Sequence, residues 1–212
     1  MFDQHLIAVI LMFCLILFFS VHLCYDLRMT RSRKRSEVVV KEPPRPRDGP
    51  TLIAYTASLV FWLLFFVSPG LLFFGAYEFV FAPFIFRRLH QLWIQFVGTG
   101  LTIIGVVLAD SARIARGVVA PSWTMPEDYQ LATEGAYGLV RHPLYLSYIL
   151  MSLGLFFLLS NILLLGCFVG LFCYYFPAKK EETMLLERFG RQYEEYRSQV
   201  GIFIPKIRIN DH

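Results

Sequence analysis

Long apolar runs alternate with short polar segments along the chain, and the lengths of the runs predict its elements. Three runs, at about residues 6–25, 52–74 and 92–115, are each long enough to cross the hydrocarbon core of a bilayer as a helix. Two shorter runs follow at about 143–159 and 162–177. Each has roughly 17 residues, or about 25 Å at the helical rise, which just crosses a thin bilayer. The pattern predicts a bundle of about five transmembrane helices that ends in a helical hairpin.

Two further segments lack the length or the apolarity of a membrane span. Residues 77–86 are apolar but short and are interrupted by Pro83, so we expect an interfacial or re-entrant segment there. Residues 178–200 are polar, yet apolar side chains recur every three or four positions, which predicts an amphipathic helix that lies along the interface or caps the bundle. Gly190 inside this pattern indicates a break or a close backbone contact. The apolar positions are Leu185, Phe189, Tyr193, Tyr196 and Val200.

The third long run carries small and charged residues that bear on helix packing. Gly98, Gly100 and Gly105 would let a neighbouring helix approach closely. Asp110 and Arg113 lie three positions apart near the end of the run and share a helix face. We therefore expect these two residues to pair with each other or to reach into a polar cavity.

Composition places the chain among integral membrane proteins. Of its 212 residues, 56% are hydrophobic and 17% are aromatic, values far from those of soluble domains. The connections between apolar runs are too short to hold a separate soluble domain, so we expect one compact all-α membrane domain. The first run is longer than a signal-peptide core and has no small-residue cleavage site, which predicts an anchor helix.

Two regions of this domain differ in character. Residues 1–116 hold the N-terminal transmembrane helices and a basic loop at 28–50, whereas residues 117–212 hold the candidate catalytic and cofactor-binding residues. The four cysteines lie inside or at the ends of apolar runs and have no CxxC spacing. Neither disulfides nor a bound metal is therefore expected.

The distribution of positive charge predicts the orientation of the bundle. All of the 20 Lys and Arg residues except Arg87 and Arg88 fall on the side that holds the basic loop and the C-terminal segment. Because cytoplasmic loops carry the excess of Lys and Arg, we expect the N-terminus outside and the polar end of the hairpin in the cytoplasm. The membrane would be the endoplasmic reticulum in a eukaryote and the cell membrane in a prokaryote. The net charge of +4 then reflects topology and contact with anionic lipid, and nucleic-acid binding is not expected.

Chemistry-bearing residues bracket the two short runs. Arg141-His142-Pro143-Leu144-Tyr145 precedes the first run, with His142 near the N-cap and Pro143 suited to the first helical position, and Glu181-Glu182 follows the second run. A hairpin brings both groups to one membrane face. Taken singly, the basic residues suit interface anchors and the glutamates suit a solvated helical turn, whereas their combination indicates an enzyme site.

These motifs, in this order, resemble the isoprenylcysteine carboxyl methyltransferase family and its wider relatives, the membrane phospholipid methyltransferases. The resemblance covers about residues 129–205, and the two N-terminal spans carry little of it. An RHPxY motif alone is a weak signal, but the ordered set is a strong one. Its parts are Gly135-Ala136-Tyr137 leading into Arg141-His142-Pro143-Leu144-Tyr145, a helical hairpin, and Glu181-Glu182 followed by Leu185, Phe189-Gly190, Tyr193, Tyr196 and Pro205.

The resemblance implies methyl transfer from S-adenosylmethionine, bound near the cytoplasmic interface by the last helices. It implies catalytic roles for Arg141, His142 and Glu182. Glu181 or Glu182 would meet the amino group of the cofactor, and His142 or Arg141 would meet its carboxylate. Tyr145 offers a hydroxyl, and apolar residues would form the wall for the adenine. The implied cofactor-binding residues are Leu139, Val140, His142, Tyr145, Glu181, Glu182, Leu185 and Phe189.

The implied acceptor is a lipophilic molecule in contact with membrane lipid, either a small molecule or a prenylated peptide. The carboxylate of an isoprenylated cysteine is favoured, because Arg141 would orient it by a bidentate contact and it needs no general base at neutral pH. Transfer to a phospholipid or another amine is the alternative, and His142 or a glutamate would then remove the proton. More remote alternatives are a non-catalytic scaffold and an NADPH-dependent sterol-type reductase, whose RHxNY motif has asparagine in the stretch occupied here by Pro143 and Leu144.

Overall fold

The computed structural model describes residues 2–35, 48–89, 91–117 and 130–206, with side chains omitted at 29 and 32–35. Much of the predicted basic loop, at 36–47, and the stretch 118–129 before the RHP motif lie outside the described residues. Three-residue 3-10 turns occur at Ala82–Phe84, Arg87–Leu89 and Phe172–Tyr174. The α-helices are α1 (Gln4–Arg35), α2 (Gly49–Phe73), α3 (Tyr77–Phe81), α4 (Leu92–Arg116), α5 (Ala136–Leu139), α6 (Pro143–Leu159), α7 (Ile162–Leu171), α8 (Tyr175–Phe189) and α9 (Arg191–Gln199).

The helices confirm the predicted all-α membrane bundle with a C-terminal hairpin. Four helical stretches are long and apolar enough to cross a membrane, namely Gln4–Arg28, Gly49–Phe73, Leu92–Arg116 and Ile162–Phe189, and α6 adds a shorter apolar helix of 17 residues. Apolar side chains on α1, α2 and α4 remain exposed, as expected of surfaces that face lipid. The chain is therefore an integral membrane protein.

The second arm of the hairpin is longer than predicted. The expected end at Pro177 is wrong, because a 3-10 turn joins α7 to α8 and the helical stretch continues to Phe189. Pro177 falls in the first turn of α8, where backbone N–H groups have no obligatory partner within the helix. The continuation carries Glu181 and Glu182 on a helix that is rigidly joined to the bundle.

Glycines bring α4 and α6 into close contact, as their spacing in α4 predicts. A Cβ on Gly98 would lie 2.6 Å from the backbone nitrogen of Leu158, and a Cβ on Gly105 would lie 2.9 Å from the carbonyl oxygen of Ser147. Gly154 on α6 faces the α4 backbone in the same way, whereas Gly100 faces open space. This packing places the last turn of α4 beside the first turn of α6.

Polar pairs join α1 to α4 near one end of the bundle. His22 Nδ1 lies 3.5 Å from Asp110 Oδ1, and Arg113 Nη2 lies 2.5 Å from Asp26 Oδ1. The predicted pairing of Asp110 with Arg113 is therefore wrong, since each residue pairs with α1. At the other end, the backbone nitrogen of Phe2 donates to the side chain of Gln95 at 2.7 Å, so α1 and α4 run in parallel.

The segment between α2 and α4 covers the hairpin turn. Asn161 caps α7 by accepting a hydrogen bond from the Leu163 nitrogen at 3.0 Å, and its amide donates to the Tyr77 hydroxyl at 3.0 Å. The nitrogen of Phe86 donates to the carbonyl oxygen of Ser160 at 2.8 Å. The apolar stretch 77–86 thus forms short helical pieces at one end of the bundle and not a span, as its length predicts.

Candidate active site

The RHP motif is fixed by the returning C-terminal segment. Val140 and Gly201 form a parallel backbone bridge, Arg141 N donates to Gly201 O at 2.8 Å, and His142 N donates to Ile202 O at 3.2 Å. Immediately afterwards α6 begins at Pro143, with His142 at the N-cap position as predicted. The backbone of the motif is therefore held by the C-terminal segment on one side and by the start of α6 on the other.

Arg141 binds Glu182 across the two arms of the hairpin. Its Nε donates to Glu182 Oε1 at 2.7 Å, and its Nη2 lies 2.6 Å from the same oxygen. Its Nη1 donates to the carbonyl oxygens of Arg197, at 3.1 Å, and Val200. Lys179 Nζ lies 3.4 Å from the other carboxylate oxygen of Glu182. The guanidinium thereby ties α8 and the end of α9 to the start of α6.

His142 lies between the two glutamates. Its Nδ1 is 3.5 Å from Glu181 Oε2, and its Nε2 is 3.5 Å from Glu182 Oε1. Burial alone would lower the pKa of His142, but the hydrogen bonding and charge of the two carboxylates outweigh burial and raise its pKa. The imidazole therefore keeps its proton to higher pH than a free histidine does.

Tyr145 completes the contacts of Glu181 and is itself held by an aromatic stack. Its hydroxyl donates to Glu181 Oε1, and its ring stacks on Tyr174 with centroids 4.3 Å apart. The Tyr174 hydroxyl is 2.5 Å from Ser58 Oγ on α2. The position of Tyr145 thus depends on α2 as well as on the hairpin.

These side chains surround a cavity of about 160 Å³, which we call the site cavity. Its lining combines the ionisable side chains of Arg116 on α4, of Arg141 and His142 just before α6, and of Glu181 on α8 with aromatic and apolar side chains. Tyr196 donates a hydrogen bond to the Tyr137 carbonyl oxygen at 2.7 Å across one wall. The lining residues are Arg116, Leu131, Ala132, Tyr137, Arg141, His142, Pro143, Leu144, Tyr145, Glu181, Leu185, Tyr193 and Tyr196.

The C-terminal amphipathic segment caps the bundle over this cavity. Gly190 has a positive φ of 51° and separates α8 from α9, which confirms the predicted break. The turn directs Tyr193 inward, where it is fully buried and packs with Leu185. Burial raises the pKa of Tyr193 above its ordinary value. The apolar face of α9 therefore lies over the site.

The structure brings five of the predicted site residues to the cavity: Arg141, His142, Tyr145, Glu181 and Leu185. Of the other four, Glu182 binds Arg141 outside the cavity lining, Val140 is buried in the backbone bridge, Phe189 packs beside Leu185, and Leu139 is 58% exposed.

Several residues that line the cavity were not predicted from the sequence. The helical spacing of Tyr193 and Tyr196 indicated a buried face, although not what that face would cover. Arg116 entered the sequence analysis only as one of the positive charges that set the orientation. No local pattern in the sequence connects it with Arg141, which is 25 positions further along the chain. The missed lining residues with polar groups are Arg116, Tyr137, Tyr193 and Tyr196.

The chain is similar in sequence to known membrane methyltransferases. The sequence model of the phospholipid methyltransferase family matches residues 93–192. Protein-S-isoprenylcysteine O-methyltransferase of Tribolium castaneum is 32% identical over 136 residues, which are 61% of this chain and 48% of that protein. The probable protein-S-isoprenylcysteine O-methyltransferase of Oryza sativa subsp. indica is 31% identical over 132 residues, 58% of this chain and 68% of that protein.

A solved structure is also similar. It is that of the eukaryotic intramembrane Ras methyltransferase ICMT (isoprenylcysteine carboxyl methyltransferase), at 25% identity and a TM-score of 0.49, covering 76% of this chain and 55% of that one. The present chain spans about half the length of the Tribolium relative and about two thirds of the rice relative.

Proposed function

Because the chain belongs to the protein-S-isoprenylcysteine O-methyltransferase family, we propose that it transfers a methyl group from S-adenosylmethionine to a lipophilic carboxylate. The acceptor we propose is an isoprenylated cysteine, free or on a peptide, or a similar acid. The observation that carries the proposal is the convergence of His142, Tyr145 and Glu181 on one cavity. All three belong to the ordered motifs through which the sequence resembles the family.

The walls of the site cavity suit the groups that S-adenosylmethionine presents. The molecule has an amino group, a carboxylate, a cationic sulfonium and a flat adenine, and the cavity offers a carboxylate, cations and aromatic rings. Leu185 and Tyr193 are apolar enough to contact the adenine. When bound, the cofactor supplies a methyl carbon whose bond to sulfur breaks, with the electron pair left on sulfur, as the acceptor oxygen bonds to the carbon.

The two adjacent glutamates have different proposed roles. Glu181 lines the cavity, so its carboxylate is the one that would accept a hydrogen bond from the cofactor amino group. Glu182 is bound to Arg141 and to Lys179, so its role is to position the guanidinium and the start of α6. We therefore assign Glu181 to cofactor binding and treat Glu182 as a positioning residue.

The remaining contribution of the chain is positioning and exclusion of water. A carboxylate acceptor is already ionised at neutral pH, and no group needs to remove a proton from it. His142 lies between two carboxylates that raise its pKa, and its protonated form would supply positive charge to the site. Tyr193 and Tyr196 of α9 line the cavity, which favours an oriented reaction in a low-water site.

We place the site at the cytoplasmic face. Among the described residues, the excess of Lys and Arg lies at the end of the bundle that holds the site cavity, whereas Arg87 and Arg88 lie near the other end. An acceptor tail would enter from the bilayer while its polar head meets the cavity. The host membrane would be the endoplasmic reticulum in a eukaryote and the cell membrane in a prokaryote.

A second candidate acceptor is the amine of a phospholipid, favoured by the match to the phospholipid methyltransferase family. An amine must lose a proton before it can attack. The two carboxylates beside His142 raise its pKa and so favour the protonated imidazole, which has no free lone pair to accept that proton. This geometry supports a carboxylate more than an amine.

The proposal is tested by calorimetric titration of the detergent-purified protein with S-adenosylhomocysteine and, separately, with NADPH. We expect binding of the first and no binding of the second. Transfer of a labelled methyl group to N-acetyl-S-farnesylcysteine, and not to phosphatidylethanolamine in the same micelles, would support the carboxylate acceptor. Binding of NADPH alone would replace the proposal with a reductase, and labelling of the phospholipid alone would replace the acceptor.

A further inference from the structure

The site cavity is lined by three cationic side chains, and two of them already have carboxylate partners. Arg141 contacts Glu182 through Nε and Nη2, and its Nη1 is taken by two backbone carbonyl oxygens. His142 lies within 3.5 Å of both Glu181 and Glu182. Arg141 therefore has no free pair of donors for a bidentate contact to a further carboxylate. His142 makes no hydrogen bond through Nε2, but its two ring nitrogens point in different directions and cannot form a bidentate contact.

Arg116, the third cation, is differently placed. It is the last residue of α4, it lines the cavity, and its side chain is partly buried. Its Nε is buried without a hydrogen-bond partner, and within the described part of the chain no carboxylate forms an ion pair with it. Buried donors are normally satisfied, so an unsatisfied guanidinium nitrogen at a cavity wall indicates a partner that comes from a ligand.

Arg113, one turn earlier on the same helix, is an arginine whose guanidinium has partners within the protein. Its Nη2 contacts Asp26 at 2.5 Å, and its Nη1 donates to the Gly117 carbonyl oxygen at 2.7 Å. The two arginines share a helix end and a side-chain type, yet among the described residues Arg113 has a carboxylate partner and Arg116 Nε has no hydrogen-bond partner. The difference between them supports a binding role for Arg116.

The helix that carries Arg116 is held rigidly against the rest of the site. Gly98 and Gly105 on α4 contact the backbone of α6, and α6 begins with the motif that contains His142. The backbone at the last turn of α4 therefore has a fixed position relative to the start of α6 and His142. Such preorganisation is what a planar, bidentate carboxylate contact needs.

We propose that Arg116 binds a ligand carboxylate in the site cavity, a task that the family resemblance led us to expect of Arg141 or His142. The inference rests on the proposed function, since both proposed ligands carry a carboxylate. One source is the methionine portion of S-adenosylmethionine, and the other is the acceptor acid. The chemistry of the contact is the same in both cases, so the experiment separates the sources.

The test compares Arg116→Gln and Arg116→Lys with the wild-type protein by calorimetric titration in detergent. The cofactor arm uses S-adenosylhomocysteine and 5′-methylthioadenosine, which lacks the amino-acid portion. The acceptor arm uses N-acetyl-S-farnesylcysteine and its methyl ester. Arg191→Gln is the matched control, because that guanidinium is 91% exposed on α9. Thermal unfolding of each variant confirms that it is folded.

We expect Arg116→Gln to weaken one carboxylate ligand by about 10- to 100-fold, with its carboxylate-free counterpart unaffected and Arg116→Lys intermediate. A loss confined to S-adenosylhomocysteine assigns the contact to the cofactor, and a loss confined to the farnesylcysteine acid assigns it to the acceptor. Wild-type affinities in a folded Arg116→Gln variant would overturn the inference alone. Failure of the wild-type protein to bind either carboxylate ligand would overturn the proposed function and the inference with it.

Discussion

Arg141 and Glu182, 41 residues apart in the chain, form a buried ion pair in which Arg141 Nε donates to Glu182 Oε1 at 2.7 Å. The pair joins the start of one hairpin arm to the extended end of the other. Both side chains are at least nine-tenths buried. Loss of one partner would leave the other charge in a low-dielectric site without compensation.

Substitution Glu182→Gln should therefore destabilise the protein strongly. Removing one partner of a buried pair costs about 3–5 kcal/mol, and we expect a loss near the lower figure because the site cavity is close to water. The measurement is the free energy of unfolding in mixed detergent micelles. Lys179→Ala removes a half-exposed partner of the same carboxylate and should cost less than about 1 kcal/mol. Equal stability of the Glu182→Gln variant and the wild type would refute a structural role for the pair.

Substitution Glu181→Gln should weaken ligand binding more than it reduces stability, the opposite of Glu182→Gln. Glu181 lines the cavity and would bind the cofactor amino group, so its neutralisation should weaken S-adenosylhomocysteine by about 10-fold or more, by loss of a charge-assisted hydrogen bond. Unfolding should change less than in Glu182→Gln, because the Arg141 pair remains intact. Glu195→Gln, on the exposed part of α9, is the control. Wild-type affinity in Glu181→Gln combined with lost affinity in a folded Glu182→Gln protein would exchange the two roles.

The order of the motifs and the lengths of the apolar runs were enough to predict the hairpin and its polar end. Pro143 at the first helical position and Gly190 as a break both act through their own backbone preferences, so their effects are local and readable. Pro177 was also taken to end its helix by its backbone preference. It lies instead in the first turn of α8, where proline is tolerated.

Pairings between distant elements were not readable from the sequence. Asp110 and Arg113 share a helix face, yet each pairs with α1, since only the packing of α1 decides which charged groups come within reach. The choice between Glu181 and Glu182 depends on the rotation of α8, because adjacent helical residues point about 100° apart. The burial of α9 over the cavity likewise depends on the turn that follows α8.

Close packing of α4 on α6 gives a test with an internal control. Gly98→Ala would place a Cβ 2.6 Å from a backbone nitrogen of α6, and a backbone atom cannot rotate away, so we expect a loss of about 1–3 kcal/mol in stability. Gly100→Ala meets nothing within 4 Å and should be neutral or stabilising by up to about 1 kcal/mol, since alanine favours helix. Equal unfolding free energies for the two variants would show that the helices are not in backbone contact.

The stability of the protein should depend on pH through His142. Its pKa is raised above the ordinary 6.5 when the chain is folded, because Glu181 and Glu182 favour the protonated ring despite its burial. A raised folded-state pKa contributes stability that is fully present below about pH 6.5 and is lost as the pH rises through the folded-state value.

The unfolding free energy of the wild type should accordingly exceed that of His142→Gln most at acidic to neutral pH, and the difference should shrink as the solution becomes alkaline. His5→Gln, at an exposed position at the other end of the bundle, is the control variant. Thermal unfolding in one detergent across a pH series measures the difference directly. A difference that grows with pH would mean that His142 is neutral between the glutamates, and the imidazole would then become available as a base for an amine acceptor.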